Sequence, residues 1–515
     1  MPPWVERAIC PGSVRRVWRG ATVLTVALCL LAASCSGDDG PTPAGNPSSS
    51  SGAVPSPSPL TSAPRPEGPA ADLTEELTGG EGAFVGSGSR APLDAGYVEH
   101  EYVAAGRATS YVPDGELTGD GRWTLRPGAT ARYRTRVLVR SPADPADASG
   151  VVLVEWLNVS GGLDADPEFQ TLREEIVRQG DTWVGVSAQQ IGVEGGPVAV
   201  TVDVPGAEDF VGKGLRNIDP ARYGSLRHPG DAFAYDIYTQ VARAVRSGTD
   251  AAAPVLAVGE SQSAFALVTY VNGVQPLTRA FDGFFVHSRG AAPLALPADG
   301  EPADIAGSIF GTPTTFRADT DVPVFDLQTE SDVVGILGSA FARQPDTDRF
   351  RLWEVAGTGH ADRHLLGEIA AGSVDCGPPV NDGPLHVVAK AAFRHFVTWV
   401  QDGVAPPSAE PITYDASGAQ RDVDGIALGG LRTPPVDVPV RVLSGEPGRE
   451  DDAVCLLFGS TRPLSGSRLA ELYPDRATYV RAYDEAVDAA IAGGYVLEED
   501  RGALQAYRHE ELVAP

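Results

Sequence analysis

The chain has 515 residues, 42% hydrophobic and 21% charged, enough to bury a large core. Its 68 acidic and 40 basic residues leave a formal net charge of −28, and a surface that acidic repels polyphosphate, which argues against nucleic-acid binding. No cysteine–histidine cluster has the spacing of a zinc site, so no metal is expected.

At the N-terminus Arg15, Arg16 and Arg19 precede an apolar run from Ala21 to Ala33, which ends in Leu31-Ala-Ala-Ser-Cys35. A positive flank, a short apolar core and small residues before the break read as a signal peptide. The run is shorter than the ~20 residues a membrane-spanning helix needs. Small residues ending at a cysteine resemble a lipobox, so residues 1–35 are expected to be a lipoprotein-type leader, with Cys35 lipidated as the mature N-terminus. The membrane is then a partner through that lipid. An ordinary signal peptide cut nearby is the alternative. Residues 36–70 are rich in Ser, Pro and Gly and poor in large apolar residues; such a segment cannot offset its ordering entropy and is expected to be a disordered tether. Of the five cysteines, Cys10 and Cys29 leave with the leader. Cys376 and Cys455 remain in an oxidising setting that suggests one disulfide, with two buried thiols as the alternative.

Residues 71–515 are expected to form one large α/β domain. Tyr97–Ala104 and Ala131–Arg140 look like an antiparallel entry to its sheet. Short β-branched runs follow at Val151–Leu157, Trp183–Ser187, Val255–Val258, Phe281–Val286, Val322–Leu327 and Arg351–Val355, with the length and enrichment of buried parallel strands. Helical patterns lie between and after them at Glu168–Arg178, Ala232–Arg246, Gln262–Val271 and Val387–Val400. That alternation predicts a mostly parallel central sheet flanked by helices. Gly192–Gly230 and Ala291–Thr320 exceed what the sheet needs, and long irregular segments are usually functional loops or lids. Residues 406–515 read as a C-terminal extension packed on the sheet, with helices within Ser467–Gly493 and near Leu504–Leu512.

The chemistry centres on Val255-Leu-Ala-Val-Gly-Glu-Ser-Gln-Ser263, a strand running into Gly-Glu-Ser-Gln-Ser and then a helix. A nucleophile elbow is Gly-x-Ser-x-Gly because its serine occupies a strained turn where flanking side chains collide. Serine replaces the second glycine at position 263, and a small residue can still fit. Ser261 is the candidate nucleophile, against the alternative of a serine capping a helix. An acid and then a histidine should follow. Asp332 stands just past the strand Val322–Leu327, with Glu330 as runner-up and Asp326 inside the strand. His360 sits on a glycine-flanked loop after Arg351–Val355. His364 could compete with it, and His287 precedes the acid. The oxyanion would need donors from the Gln262 N–H and from Val159 or Ser160 in the loop Asn158-Val-Ser-Gly-Gly162. Arg222, Tyr223 and His228 of the long excursion are candidates for substrate contact at the mouth of the site, with a structural ion pair as the alternative for Arg222.

Several stretches carry a resemblance to a known family: "GESQSA" at Gly259–Ala264, "WVGVSAQQIGV" at Trp183–Val193 and "LWEVAGTGHAD" at Leu352–Asp362, together with "YGSLRHPGDAFAYDIYTQ" before the elbow and "LLFGSTRPLSGSRLAELYP" near the C-terminus. The chain from about Val98 onward resembles the bacterial alpha/beta hydrolase domain-containing proteins. The resemblance implies the α/β-hydrolase fold, with Ser261 as nucleophile and His360 as base, and leaves the acid and the substrate open. The expected function is a serine hydrolase acting on small or polymeric carboxylic esters without a cofactor. The alternative is a non-catalytic surface lipoprotein that uses the fold as a binding module.

Overall fold

The computed structural model describes residues 64–515, apart from 87–92, 95, 202–205, 208, 251, 416–417 and 453. The expected leader, Cys35 and most of the tether lie outside the described residues. A nine-stranded sheet is built from β1 (Asp72–Glu76), β2 (Tyr97–Pro113), β3 (Leu125–Pro142), β4 (Val152–Trp156), β5 (Thr182–Val186), β6 (Val255–Glu260), β7 (Gly283–His287), β8 (Val324–Thr329) and β9 (Phe350–Val355). Their order is β1-β2-β3-β5-β4-β6-β7-β8-β9. The pairs from β1 to β5 across β2 and β3 are antiparallel, and those from β5 through β9 are parallel.

β4, β6, β7 and β8 are buried along their whole length, which is why they read as mostly apolar runs rather than alternating ones. Helices Ala234–Ser247 and Gln262–Thr269 cover one face, through Ile237, Val241 and Leu267, while Pro167–Gln179 and Leu385–Asp402 cover the other, through Leu172, Ile176 and Phe396. Each such side chain contributes about 1.5–3 kcal/mol when fully buried. The antiparallel entry runs several residues beyond the expected limits at both strands. The edge strand β1 was not anticipated, because its sequence Asp-Leu-Thr-Glu-Glu has almost no buried position.

The C-terminal extension forms an apolar layer with Tyr479, Tyr483, Val487 and Leu504 around Val387 of the helix Leu385–Asp402. Buried Lys390 of that helix donates to Asp500 at 2.8 Å, and Arg178 reaches the same carboxylate at 2.7 Å. Cys376 and Cys455 form a disulfide with Cα atoms 5.5 Å apart across a sequence separation of 79. The excursion Ala291–Thr320 is stitched to the rest of the domain by Thr315 N–H to Gly119 O at 2.9 Å and Asn272 Nδ2 to Thr315 O at 2.9 Å. Its end lines a cavity of about 330 Å³ with Val324 and Phe350, at the edge of the sheet where β8 and β9 begin.

Candidate active site

β6 ends at Glu260 and a helix begins at Gln262, so the reversal falls on Ser261. Ser261 adopts φ 62° and ψ −124°, a backbone state that costs a non-glycine residue roughly 1–3 kcal/mol. The Ser261 N–H donates to His287 O at 3.0 Å, and the Ser261 carbonyl accepts from Phe265 N–H at 3.1 Å. Crowding accounts for glycine at 259, where a Cβ would sit 3.0 Å from Ser263 Cβ and 3.2 Å from Leu267 Cδ1. With no side chain there, position 263 has room for serine.

His360 follows β9 and turns back over the elbow. Its Nε2 lies 2.8 Å from Ser261 Oγ and its Nδ1 2.7 Å from Asp332 Oδ1. Its own N–H donates to Ser331 Oγ at 2.6 Å, which fixes the loop that carries the ring. Asp332 is held by a capping box at the end of β8. Its N–H donates to Thr329 Oγ1 at 3.2 Å, and its Oδ2 accepts from Thr329 N–H at 2.7 Å. Burial by itself would raise the Asp332 carboxyl, but His360 and the Thr329 bonds outweigh it and hold the group below the usual carboxylate range.

The competing residues lie elsewhere. Glu330 points away from the histidine, accepting from Gly357 N–H at 2.6 Å and Gly445 N–H at 2.8 Å and pairing with Arg421 at 2.7 Å. Asp326 pairs with Arg289 at 2.8 Å. His364 stacks on His386 with ring centroids 3.8 Å apart. His228 is buried and bonds Ala188 O at 2.8 Å.

Two expectations need correction. Val159 and Ser160 do not present free backbone donors. The Val159 N–H donates to the Gln262 side-chain carbonyl at 3.1 Å, and the Ser160 N–H to Asn158 Oδ1 at 2.9 Å. The backbone N–H of Gln262, in contrast, opens its helix, where the first donors have no intrahelical acceptor. Arg222 and Tyr223 do not reach the site. Both bond to buried Glu101, Arg222 through Nε and Tyr223 through its hydroxyl at 3.0 Å, and Glu101 also pairs with buried Arg136 at 3.1 Å. A carboxylate and two guanidiniums there fasten the excursion to β2 and β3.

The middle of the excursion nevertheless borders Ser261. A cavity of about 530 Å³ opens over Ser261 and His360, with Val200, Phe210 and Val211 on its wall. Its lining also takes in the segment just after His360, including Leu365 and Ile369, and Leu457 and Phe458 beside the disulfide.

Two hydrogen-bonding residues and one buried cluster near the serine were given no role by sequence. Gln189 accepts from Trp156 Nε1 at 2.8 Å and from Gln262 Nε2 at 2.6 Å, which ties the ends of β4 and β5 to the elbow. Asn158 Nδ2 donates to the Glu260 carbonyl at 3.1 Å. Behind the serine, Glu168, Glu260 and His287 bring donor atoms within 4.8 Å of one another, and among the described residues they are the grouping with a donor set suited to a cation. Burial pushes the Glu168 carboxyl up to about 8 and Glu260 well above the usual range. Only its flanking elbow motif, with glutamate before the serine, gave any signal of it.

The family model described as an alpha/beta hydrolase domain matches residues 64–506. None of the curated proteins matches the chain. Among solved structures, the chain is similar to a cold-adapted esterase from an Arctic intertidal metagenomic library, at 11% identity over 52% of this chain and 87% of that one, with a TM-score of 0.25. It is likewise similar to an a/b serine hydrolase without lid from Xanthomonas campestris, at 12% identity over 48% and 83% with a TM-score of 0.25. A fungal esterase from Rhizomucor miehei gives 12% identity over 57% and 85%, with a TM-score of 0.29.

Proposed function

The chain belongs to the alpha/beta hydrolase domain family, and on that premise we propose that it is a serine hydrolase acting on carboxylic esters. The observation that carries this reading is the unbroken line from Ser261 Oγ to His360 Nε2 at 2.8 Å and from His360 Nδ1 to Asp332 Oδ1 at 2.7 Å. In that line Asp332 accepts the Nδ1 proton and fixes the tautomer, leaving the Nε2 lone pair facing the hydroxyl. As Ser261 Oγ attacks an ester carbonyl, His360 takes its proton and Asp332 stabilises the imidazolium. The developing oxyanion is met by the Gln262 N–H, a donor worth about 2.7–4 kcal/mol in the transition state. His360 then returns the proton to the leaving alcohol. Water, deprotonated by the same imidazole, hydrolyses the acyl-enzyme. Apart from water and substrate, every group these steps use is a side chain or N–H of this chain, so the mechanism calls for no cofactor.

We also propose that the enzyme works outside the cytoplasm, held to the membrane by lipid on Cys35, as the leader pattern suggests. Among the described residues no helix is long and apolar enough to cross a membrane. The catalytic reading is tested with a fluorophosphonate probe. Wild type should be labelled and should hydrolyse p-nitrophenyl esters, and Ser261→Ala should do neither. An unlabelled, folded wild type would leave the chain a binding module built on a hydrolase fold.

A further inference from the structure

The walls of the cavity over Ser261 have a chemistry of their own. Among its described lining residues there is no lysine or arginine, and the ionisable ones are His360 and Glu260. Burial pushes the Glu260 carboxyl well above the usual carboxylate range, which disfavours its charged form. A substrate bearing a carboxylate or phosphate would therefore enter without a counter-charge, into a protein of net charge −28. Desolvating such an anion is unfavourable when nothing pairs with it.

The lining is mostly apolar. It takes Leu163, Val200 and Phe210 from the loop after β4 and from the excursion, and Leu365, Ile369 and Phe458 from the segment after His360 and from beside the disulfide. Ile369 is 73% exposed and Phe210 36% exposed, so large apolar side chains of the lining reach the protein surface. Exposed side chains of this size grouped around one opening mark a binding groove rather than chance surface. The wall that carries Leu365 and Ile369 also has a fixed footing. It begins directly after His360 and ends beside Cys376, whose disulfide partner Cys455 starts the short helix that supplies Phe458.

We propose that the substrate is an uncharged ester with a hydrophobic chain, and that the chain lies in the trough between Leu163 and Leu365 with its outer end against Ile369. This rests on the catalytic reading above and adds the substrate class. Chain length then sets rate through burial. Each methylene that leaves water contributes ~0.8 kcal/mol, or about fourfold in kcat/KM.

The test compares p-nitrophenyl acetate, butyrate, hexanoate and octanoate, a parallel series of alkyl acetates, and the monoester of a dicarboxylic acid. Wild type should gain about fourfold in kcat/KM per methylene along at least one series until the trough is filled, and the anionic monoester should react at least tenfold more slowly than its neutral counterpart. Leu163→Trp should fill the trough and cut the octanoate-to-acetate ratio at least tenfold. Ile369→Asp, at an exposed position that folding does not depend on, should cut the same ratio severalfold and serves if the tryptophan variant does not fold. Fluorophosphonate labelling of Ser261 is measured alongside. Labelling with a flat profile in both series, or with equal rates for neutral and anionic esters, overturns the substrate class and leaves the hydrolase standing. Absence of labelling in folded wild type overturns both.

Discussion

Asp332→Asn is the sharpest probe of the proposed triad, because the surrounding hydrogen bonds dictate which way the new amide faces. In wild type Oδ2 accepts from Thr329 N–H at 2.7 Å and Oδ1 accepts from His360 Nδ1 at 2.7 Å. An asparagine must keep its single oxygen on Thr329, since the flipped amide would set an NH₂ against that buried N–H at a cost of about 1–3 kcal/mol. The NH₂ therefore faces His360 and drives its proton from Nδ1 to Nε2. A protonated Nε2 cannot accept from Ser261 Oγ. Loss of the carboxylate also removes the charge that stabilises the imidazolium, and the two effects together predict a fall of about 10⁴ in kcat, equal to about 5.5 kcal/mol. Glu330→Gln is the control. It disturbs bonds to Gly357, Gly445 and Arg421, so it should lower Tm while leaving kcat within about tenfold of wild type. Steady-state hydrolysis of a p-nitrophenyl ester and the rate of fluorophosphonate labelling report both variants. If folded Asp332→Asn keeps kcat within tenfold, or folded Glu330→Gln loses it by 10⁴, the assignment of the acid is wrong.

Replacing both Cys376 and Cys455 by alanine opens a loop with a sequence separation of 79; stability should fall by about 2–5 kcal/mol by urea unfolding, and an unchanged midpoint would show that the bond contributes nothing. Glu168 carries a folded-state pKa near 8 because burial disfavours its charged form, so the stability it contributes is present below its unfolded value of about 4.3 and is lost as pH rises toward 8. Glu168→Gln should accordingly flatten the decline of Tm between pH 5 and pH 8, and an unaltered slope would count against a raised Glu168 carboxyl. Cys35→Ser should abolish metabolic incorporation of labelled palmitate and release the protein from the membrane fraction, whereas persistent labelling would mean another residue is the anchor.

The parallel half of the sheet was legible because strands buried on both faces are near-continuously apolar, and the helices between them because their apolar residues recur at helical spacing over longer stretches. The order of Ser261, Asp332 and His360 was legible for a related reason, each standing where a strand ends. The choice of Asp332 over Glu330 could also have been read from the capping box Thr329-Glu-Ser-Asp332, which turns the fourth residue back toward the strand end. Arg222 and Tyr223 were misassigned because nothing in their neighbourhood reveals the buried acid that binds them. Glu101 lies 121 residues earlier than Arg222, on a strand whose burial only the packing of β2 against β3 creates. A polar pair in a long excursion looks the same in sequence whether it faces a ligand or a buried carboxylate. The excursion's apolar residues, Val200 and Phe210, were the ones that reach the site.

Hydrogen-bond competition also bears on whether the occupied Val159 N–H is released to a developing oxyanion, and it leads to a testable distinction. Gln262 Oε1, itself neutral, already occupies the Val159 N–H at 3.1 Å, while Gln262 Nε2 is fixed by Gln189 at 2.6 Å. A substrate carbonyl, equally neutral, gains little by displacing it. A developing oxyanion gains more, because bonds to ionised acceptors are roughly twice as strong. An N–H held in this way would act in the transition state and not in the ground state, which is the condition for raising kcat rather than lowering KM. Gln262→Ala should remove the competitor and let the Val159 N–H bind the ground-state carbonyl as well, so KM should fall several-fold while kcat changes little. A drop in kcat of about 10²–10³ at unchanged KM would instead make the Gln262 side-chain amide an oxyanion donor beside the backbone N–H, and would overturn a transition-state role for the Val159 N–H.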